Sequence, residues 1–398
     1  MTDSDFIAEA RQTYAAANAA ALRWMLGRPP LHGAFLNTKM NSLTLNDYGA
    51  ADGVRGPGYL YGWIQGRGLE AIVTHAAFFA NTDSELAAAL DVCGRRLYAA
   101  LKALVASDGH GYFCYDASLR PIGFDATGTA KPQLAGGDIF TYSDAFIAKG
   151  LVAAAARYAP EELQRRLDYL AVVIDSIPAG RFQMDEKLPL AANTVGQQAP
   201  DYGPRMILLG ASGLLRRIGR PDRAGFAEPF IEHVLANHLS AASGLLIDVP
   251  GTDAANIGHA IEFVGFALEH YGEAVGDGRL AQLEAILLAS FHAGFVGPGI
   301  ALAISPATGR PLSPNCPWWS LPETIRAASL CHARTNNPHT LAVWRKAHEA
   351  FFSHYWRSEP AIAYQTMTAT GPVDFVPATP DLDPGYHTGL SLLAAIEA

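Results

Sequence analysis

His259 and Glu262 stand three residues apart in the stretch Asn256-Ile257-Gly258-His259-Ala260-Ile261-Glu262-Phe263. The apolar pattern running on through Leu268 predicts a helix, and residues three apart on a helix share one face. An imidazole beside a carboxylate can be fixed in one tautomer and tuned toward neutrality, which is what a general base needs. A core histidine satisfied by a neighbouring carboxylate would look the same. The choice between the two depends on where this helix sits in the whole chain.

Composition narrows the field. Of 398 residues, 49% are hydrophobic and 17% charged, below the roughly 25% charged share of an ordinary globular protein. Much of each helix must therefore be buried. Net charge is −9 with no Lys/Arg run, so there is no electrostatic footprint for nucleic acid or an anionic membrane. The start, Met1-Thr2-Asp3-Ser4-Asp5, is acidic where a signal peptide is basic, and no apolar run reaches the roughly 18 residues of a membrane span. A soluble, cytoplasmic protein is expected. Cys93, Cys114, Cys316 and Cys331 are widely spaced without a CxxC, which predicts reduced, buried thiols and neither a zinc site nor a disulfide framework.

The chain alternates long helical stretches with short glycine-led extended segments: Gly33-Ala34-Phe35-Leu36, Gly111 to Tyr115, Gly180 to Met184, Gly244 to Asp248, Gly299 to Ala303 and Ala361 to Tyr364. Each segment follows one helix and leads through a turn into another. Helices are expected at about 5–26, 59–80, 83–105, from 142, 161–177, 204–219, 221–239, from 257, 278–292, from 318, 338–356 and from 386. That makes six units that cannot bury their apolar faces alone. An open row would need polar capping helices at its ends, and neither end resembles one. Closing the row removes both ends. The expectation is an all-α toroid of six helical hairpins, an (α/α)6 barrel forming one domain over residues 1–398, with short β-hairpin-like loops at one mouth.

In such a ring the first turns of the six inner helices converge. They carry Trp63, Gln65 and Arg67; Tyr142, Ser143 and Asp144; Arg205 and Met206; His259 and Glu262; Trp318, Trp319 and Glu323; Tyr386 and His387. Aromatic faces interspersed with imidazole, carboxylate and guanidinium suit a pyranose, whose apolar C–H faces are ringed by hydroxyls. Packing alone explains Trp318, Trp319 and Asp144 as well: the first two as core, the last as a helix cap.

Phe140-Thr141-Tyr142-Ser143-Asp144-Ala145-Phe146, Gly258-His259-Ala260-Ile261-Glu262, Trp318-Trp319 followed by Glu323, Trp63-Ile64-Gln65-Gly66-Arg67 and Gly385-Tyr386-His387 resemble, in the same order and over essentially the whole chain, the motifs of the N-acylglucosamine 2-epimerase superfamily. The resemblance implies an (α/α)6 barrel and an epimerase or isomerase of sugars. It implies His259 and His387 as acid/base groups, with Glu262 as the carboxylate beside the first and Arg67 near the sugar oxygens. Trp319 and Glu323 match the aromatic platform and carboxylate of the fifth inner helix. Trp63, Tyr142, Asp144 and Arg205 complete the expected substrate contacts. Ile207 stands where cellobiose epimerases and the aldose–ketose isomerases place a histidine, which is closer to the N-acylglucosamine type. Gly265 and Leu390 also depart from the pattern, where some members have tryptophan and arginine.

Inversion at C2 of an open-chain aldose needs a group to take the C2 proton, a cation for the developing enediolate, and a second group on the opposite face to return a proton. His259 and His387 are the expected pair, Arg67 the cation, and Glu262 the residue orienting His259. No metal and no cofactor is called for, and no glycine-rich dinucleotide fingerprint follows a predicted strand. An aldose–ketose isomerase of the mannose/fructose type would need one histidine only. A glycoside hydrolase or lyase would need a carboxylate pair, from Asp144, Glu262 and Glu323, and a sugar-binding protein on this scaffold would need no turnover. The small-molecule sugar is the expected partner, with a homodimer possible through alanine-rich outer helices. The stretch 181–202, longer than its counterparts, is expected to be either a lid or a disordered loop.

Overall fold

The order of buried and exposed residues along the helices sorts them into two rings. In the computed structural model, which describes residues 2–125, 127–375 and 379–398, six outer helices alternate with six inner ones. The outer helices are α1 (Asp3–Leu26), α3 (Ser84–Val105), α5 (Leu163–Ser176), α7 (Ala227–His238), α9 (Asp277–Gly294) and α11 (Pro338–Ala350). The inner helices are α2 (Gly62–Phe79), α4 (Tyr142–Tyr158), α6 (Gly203–Arg217), α8 (Ile257–Tyr271), α10 (Ser320–Thr335) and α12 (Ser391–Glu397), the last preceded by a π-helical turn over Tyr386–Leu390. This is the (α/α)6 barrel expected from the six-unit period.

Inner helices are apolar nearly all round because both the axis and the outer ring cover them. Two glycines let α2 and α4 meet backbone to backbone. A Cβ at Gly66 would lie 2.5 Å from the carbonyl carbon of Phe146, and one at Gly150 would lie 2.5 Å from the Gly66 carbonyl oxygen. Outer helices bury one stripe only; α3 starts at Asp83, whose side chain accepts from Leu86 N at 3.1 Å.

α1 closes the ring by packing on α12 as well as α3. Asn18 Nδ2 donates to the Gly389 carbonyl at 2.9 Å, and Trp344 Nε1 donates to Tyr14 Oη at 2.8 Å. At the mouth the buried Lys39–Asp381 ion pair, 2.9 Å, ties the first loop to the last.

Short strands gather at one end, where they run into the inner helices. Leu60–Tyr61 directly precedes α2 and pairs with Cys114–Tyr115, which continues through Pro121–Phe124 to Ala130–Pro132. Phe140–Thr141 precedes α4 and pairs in parallel with Phe182–Gln183. Cys316–Pro317 precedes α10 and pairs with Thr366–Thr368. The pairing of Leu60–Tyr61 explains why α2 starts at Gly62 rather than near Tyr59. Pro221–Arg223 likewise forms a separate tight turn, so α7 begins at Ala227. All four cysteines are buried and free, and no helix among the described residues is long and apolar enough to cross a membrane.

The stretch 181–202 is folded on itself by side-chain hydrogen bonds. Gln183 Nε2 donates to the carbonyls of Asp185 and Leu188, and Gln198 bridges Met184 N and the Phe182 carbonyl.

Candidate active site

A cavity of about 290 Å³ opens at the strand-bearing end, walled by the first turns of the inner helices. His259 is placed there by a local device. Asn256 caps α8, its Oδ1 accepting from His259 N at 3.2 Å, and Asp248 on the preceding extended segment accepts from Asn256 N at 3.0 Å. Burial pushes the Asp248 carboxyl up to about 7. His259 lines the cavity, and desolvation by the surrounding protein lowers its pKa to about 4. It is therefore neutral at physiological pH and able to accept a proton.

His387 reaches the same cavity from the last helix. Asp383 fixes its backbone, Oδ1 accepting from Tyr386 N at 3.0 Å and His387 N at 3.3 Å, and Oδ2 from Thr388 N at 2.8 Å. Its Nδ1 lies 3.0 Å from Glu323 Oε1. In the neutral imidazole the proton belongs on Nδ1, which leaves Nε2 as the acceptor. Burial, then the nearby Arg67 guanidinium, holds this histidine well below its ordinary pKa.

Trp319 lies against both imidazoles, its ring centroid 5.5 Å from that of His259 and 5.6 Å from that of His387, tilted by 34° and 36°. Gly258 makes this possible, since a Cβ there would come within 2.4 Å of the indole. Arg67 lines the cavity without any carboxylate in ion-pair range among the described residues. Its guanidinium sits instead on Phe146 at 4.0 Å, Trp63 at 5.1 Å and Tyr386 at 5.4 Å, with Nε unpartnered. A buried cation offered only aromatic faces is poised for a partly negative oxygen.

Glu262 differs from its expected role. It makes no hydrogen bond to His259; its Oε1 is 3.9 Å from His387 Nδ1 and has no hydrogen-bond partner. The carboxylate that holds an imidazole is Glu323, on His387. Burial, and then the neighbouring Glu323, raises Glu262 to about 8, so it is protonated at neutral pH. Ligand atoms of Glu262, Glu323 and His387 come within 4.8 Å of one another. That spacing would suit a metal, yet Glu323 Oε1 is hydrogen-bonded to His387 and Oε2 stands 3.0 Å from Arg326 Nη1, an ion-pair contact without hydrogen-bond geometry. We read them as an ion-paired cluster rather than a ligand set.

Trp63, Arg67, Tyr142, His259, Glu262, Trp319 and His387 thus share one cavity, with Glu323 directly behind His387. Asp144 and Arg205 do not join them. Thr141 caps α4, and Asp144, three residues on, folds back as the other half of the capping box, accepting from Thr141 N at 2.9 Å. Asp144 also accepts from Gly111 N at 2.8 Å and Tyr169 Oη at 2.7 Å, so its carboxylate is fully used inside the loop layer. Arg205 faces the outer ring with its guanidinium over Phe230, 5.8 Å from the centroid, because the cavity side of α6 is taken by Ile207.

Several residues escaped the sequence reading. Asp383 is a helix cap with a recognisable signal, an acid three residues before Tyr386. Glu186 has none: it is a buried carboxyl flanked by exposed Asp185 and Lys187, accepting from Trp63 Nε1 at 2.6 Å and Ser143 N at 3.0 Å. It ties the 181–202 stretch to Trp63 on the cavity wall, and burial pushes it up to about 8. Arg326 and Lys149 lie deeper along the axis. Lys149 pairs with Glu70 at 3.2 Å and donates to Tyr386 Oη at 2.5 Å.

No protein-family model and no curated protein sequence matches this chain. Solved structures do. Cellobiose 2-epimerase from Bacillus thermoamylovorans B4167 superposes with a TM-score of 0.74 at 16% identity, covering 99% of each chain. Cellobiose 2-epimerase from Spirochaeta thermophila DSM 6192 gives 0.73 at 15%, covering 100% of this chain and 98% of its own. A D-mannose isomerase gives 0.75 at 13%, covering 97% of each. At such identities the likeness establishes a shared fold from end to end.

Proposed function

We propose that the protein is a sugar epimerase or isomerase acting beside the carbonyl of an open-chain aldose, and within that class a 2-epimerase of the N-acylglucosamine type. The observation that carries this reading is the pair of neutral imidazoles, His259 and His387, facing one cavity that also holds the unpaired Arg67. One imidazole takes the C2 proton as the adjacent aldehyde spreads the charge into an enediolate. Arg67 stabilises the oxygen on which that charge collects. The second imidazole, facing the same cavity, returns a proton to the opposite face of C2. An aldose–ketose isomerase on the same site would deliver the proton to C1 and need one imidazole only.

At about 290 Å³ the cavity is at the lower edge of the roughly 300–1,000 Å³ typical of small-molecule sites, which favours a single sugar ring. Ile207 presents an apolar side chain to it, suited to the methyl of an N-acyl group. The fold relatives named as cellobiose 2-epimerases and D-mannose isomerase support the reaction class. A hydrolase is less well served, since Glu262 and Glu323 crowd around His387 instead of flanking a bond.

The test is NMR of the protein in D2O with N-acetylglucosamine, N-acetylmannosamine, mannose, glucose and cellobiose. A C2 epimer carrying deuterium is the expected product, and it should fall on the order of 10²- to 10⁴-fold in His259→Gln or His387→Gln. Release of a new reducing end without C2 exchange would overturn the reading.

A further inference from the structure

One turn beyond Glu323, Arg326 is buried on the barrel axis where the proposed proton transfers do not reach it. Its Nη1 lies 3.0 Å from Glu323 Oε2, its Nε 3.5 Å from Glu269 Oε1, and its guanidinium 4.9 Å from the Phe266 ring centroid. Gly265 on α8 leaves it room, since a Cβ there would come 3.1 Å from Arg326 Cδ, a tight contact.

We propose that Arg326 is a positioning residue that keeps Glu323 as the anionic acceptor of the His387 Nδ1–H, so that Nε2 is the nitrogen presented to the cavity. The catalytic meaning of that orientation rests on the proposed function, whereas the orientation itself does not. Charged and polar groups from several elements surround the pair: Arg67 on α2, Lys149 on α4, Glu262 and Glu269 on α8, with Asp383 before the last helix and the Ser391 hydroxyl at its start. Among the described residues Arg326 is the one Lys or Arg within ion-pair distance of Glu323. Glu262 lacks such a partner, and of two neighbouring buried carboxyls the one with the direct cation carries the charge.

Without the guanidinium, Glu323 would take up a proton at neutral pH. Its O–H would then donate to His387 Nδ1, and the imidazole proton would move to Nε2. No proton is gained by the ring, but the acceptor nitrogen is turned away from the cavity.

The experiment is long-range 1H–15N correlation on protein labelled at histidine, at pH 7, with His387 assigned by its loss in His387→Gln. The expected result is a neutral Nδ1–H ring in the native protein, an Nε2–H ring in Arg326→Met, and retention of Nδ1–H in Arg326→Lys. The C2 deuteration rate should fall about 100-fold in Arg326→Met. A His387 that carries its proton on Nε2, or on both nitrogens, in the native protein overturns the proposal with no variant needed, and an Nδ1–H ring persisting in folded Arg326→Met overturns it equally. If the tautomers behave as expected while no sugar in the panel exchanges its C2 proton, the positioning role stands and the epimerase or isomerase reading fails.

Discussion

Replacing Asp144 with alanine removes a carboxylate that four donors address: Thr141 N and Oγ1, Gly111 N and Tyr169 Oη. The side chain is fully buried, so these donors lose their partner without gaining bulk water. Each stranded buried donor costs about 1–3 kcal/mol, and after partial rearrangement a total of about 4 kcal/mol is reasonable. With an unfolding entropy near 2.1 cal/mol/K per residue, about 0.8 kcal/mol/K for a chain of 398, that loss lowers Tm by roughly 5 °C. Differential scanning calorimetry reads the shift, and the C2 deuteration rate below the transition reads the site. The expected outcome is a less stable protein whose sugar affinity is nearly intact. Lost affinity with an unchanged Tm would refute the structural role and return Asp144 to the substrate contacts.

Two further outcomes are expected. His75 is fully buried, its Nδ1 donating to the Ala71 carbonyl at 2.7 Å and its Nε2 accepting from Asn18 Nδ2 at 3.1 Å, and desolvation lowers its pKa from 6.5 to about 4. A depressed histidine contributes stability that is complete above pH 6.5 and lost as pH falls toward 4, by about 3 kcal/mol here. Urea unfolding of His75→Gln across that range should show a flatter pH dependence than the native protein; an identical slope would sink the assignment. Gly258→Ala places a methyl 2.4 Å from the Trp319 ring, so the indole must leave its place against the histidines. Turnover is expected to drop about tenfold or more for an overpacking penalty of about 1–3 kcal/mol, and unchanged kcat and KM would show that the spacing of the three rings is immaterial.

What could be read in the chain was whatever repeats. The alternation of helical stretches with glycine-led segments gave the six units, and the convergence of inner-helix first turns gave Trp63, Arg67, His259, Trp319 and His387 on one cavity. Contacts across the axis were not legible. Arg326 meets Glu269 because α8 and α10 are neighbours in the ring, and Lys149 meets Glu70 because α2 and α4 cross at two glycines. Nothing in local spacing distinguishes these charges from ordinary helix-surface ones. Glu262 was paired with His259 because they are close in sequence, whereas the ring brings it nearer to His387, from another helix. Asp144 could be read as a cap or as a ligand, and only the positions of Gly111 and Tyr169 decide for the cap.

Closure of the ring also has a temporal meaning. The hydrogen bond from Asn18 to Gly389 spans 371 residues and that from Trp344 to Tyr14 spans 330, so α1 meets α2 and α3 early but lacks its α11 and α12 neighbours until the final helices have been made. The entropy of joining such distant segments grows only logarithmically with their separation, and the delay is kinetic rather than energetic. A nascent chain carries one flank of its first helix uncovered until α11 and α12 have been made, with Phe6, Ala10 and Tyr14 on the side that is buried last. Assembly of the cavity, whose His387 wall follows every other inner helix in chain order, waits for the same step.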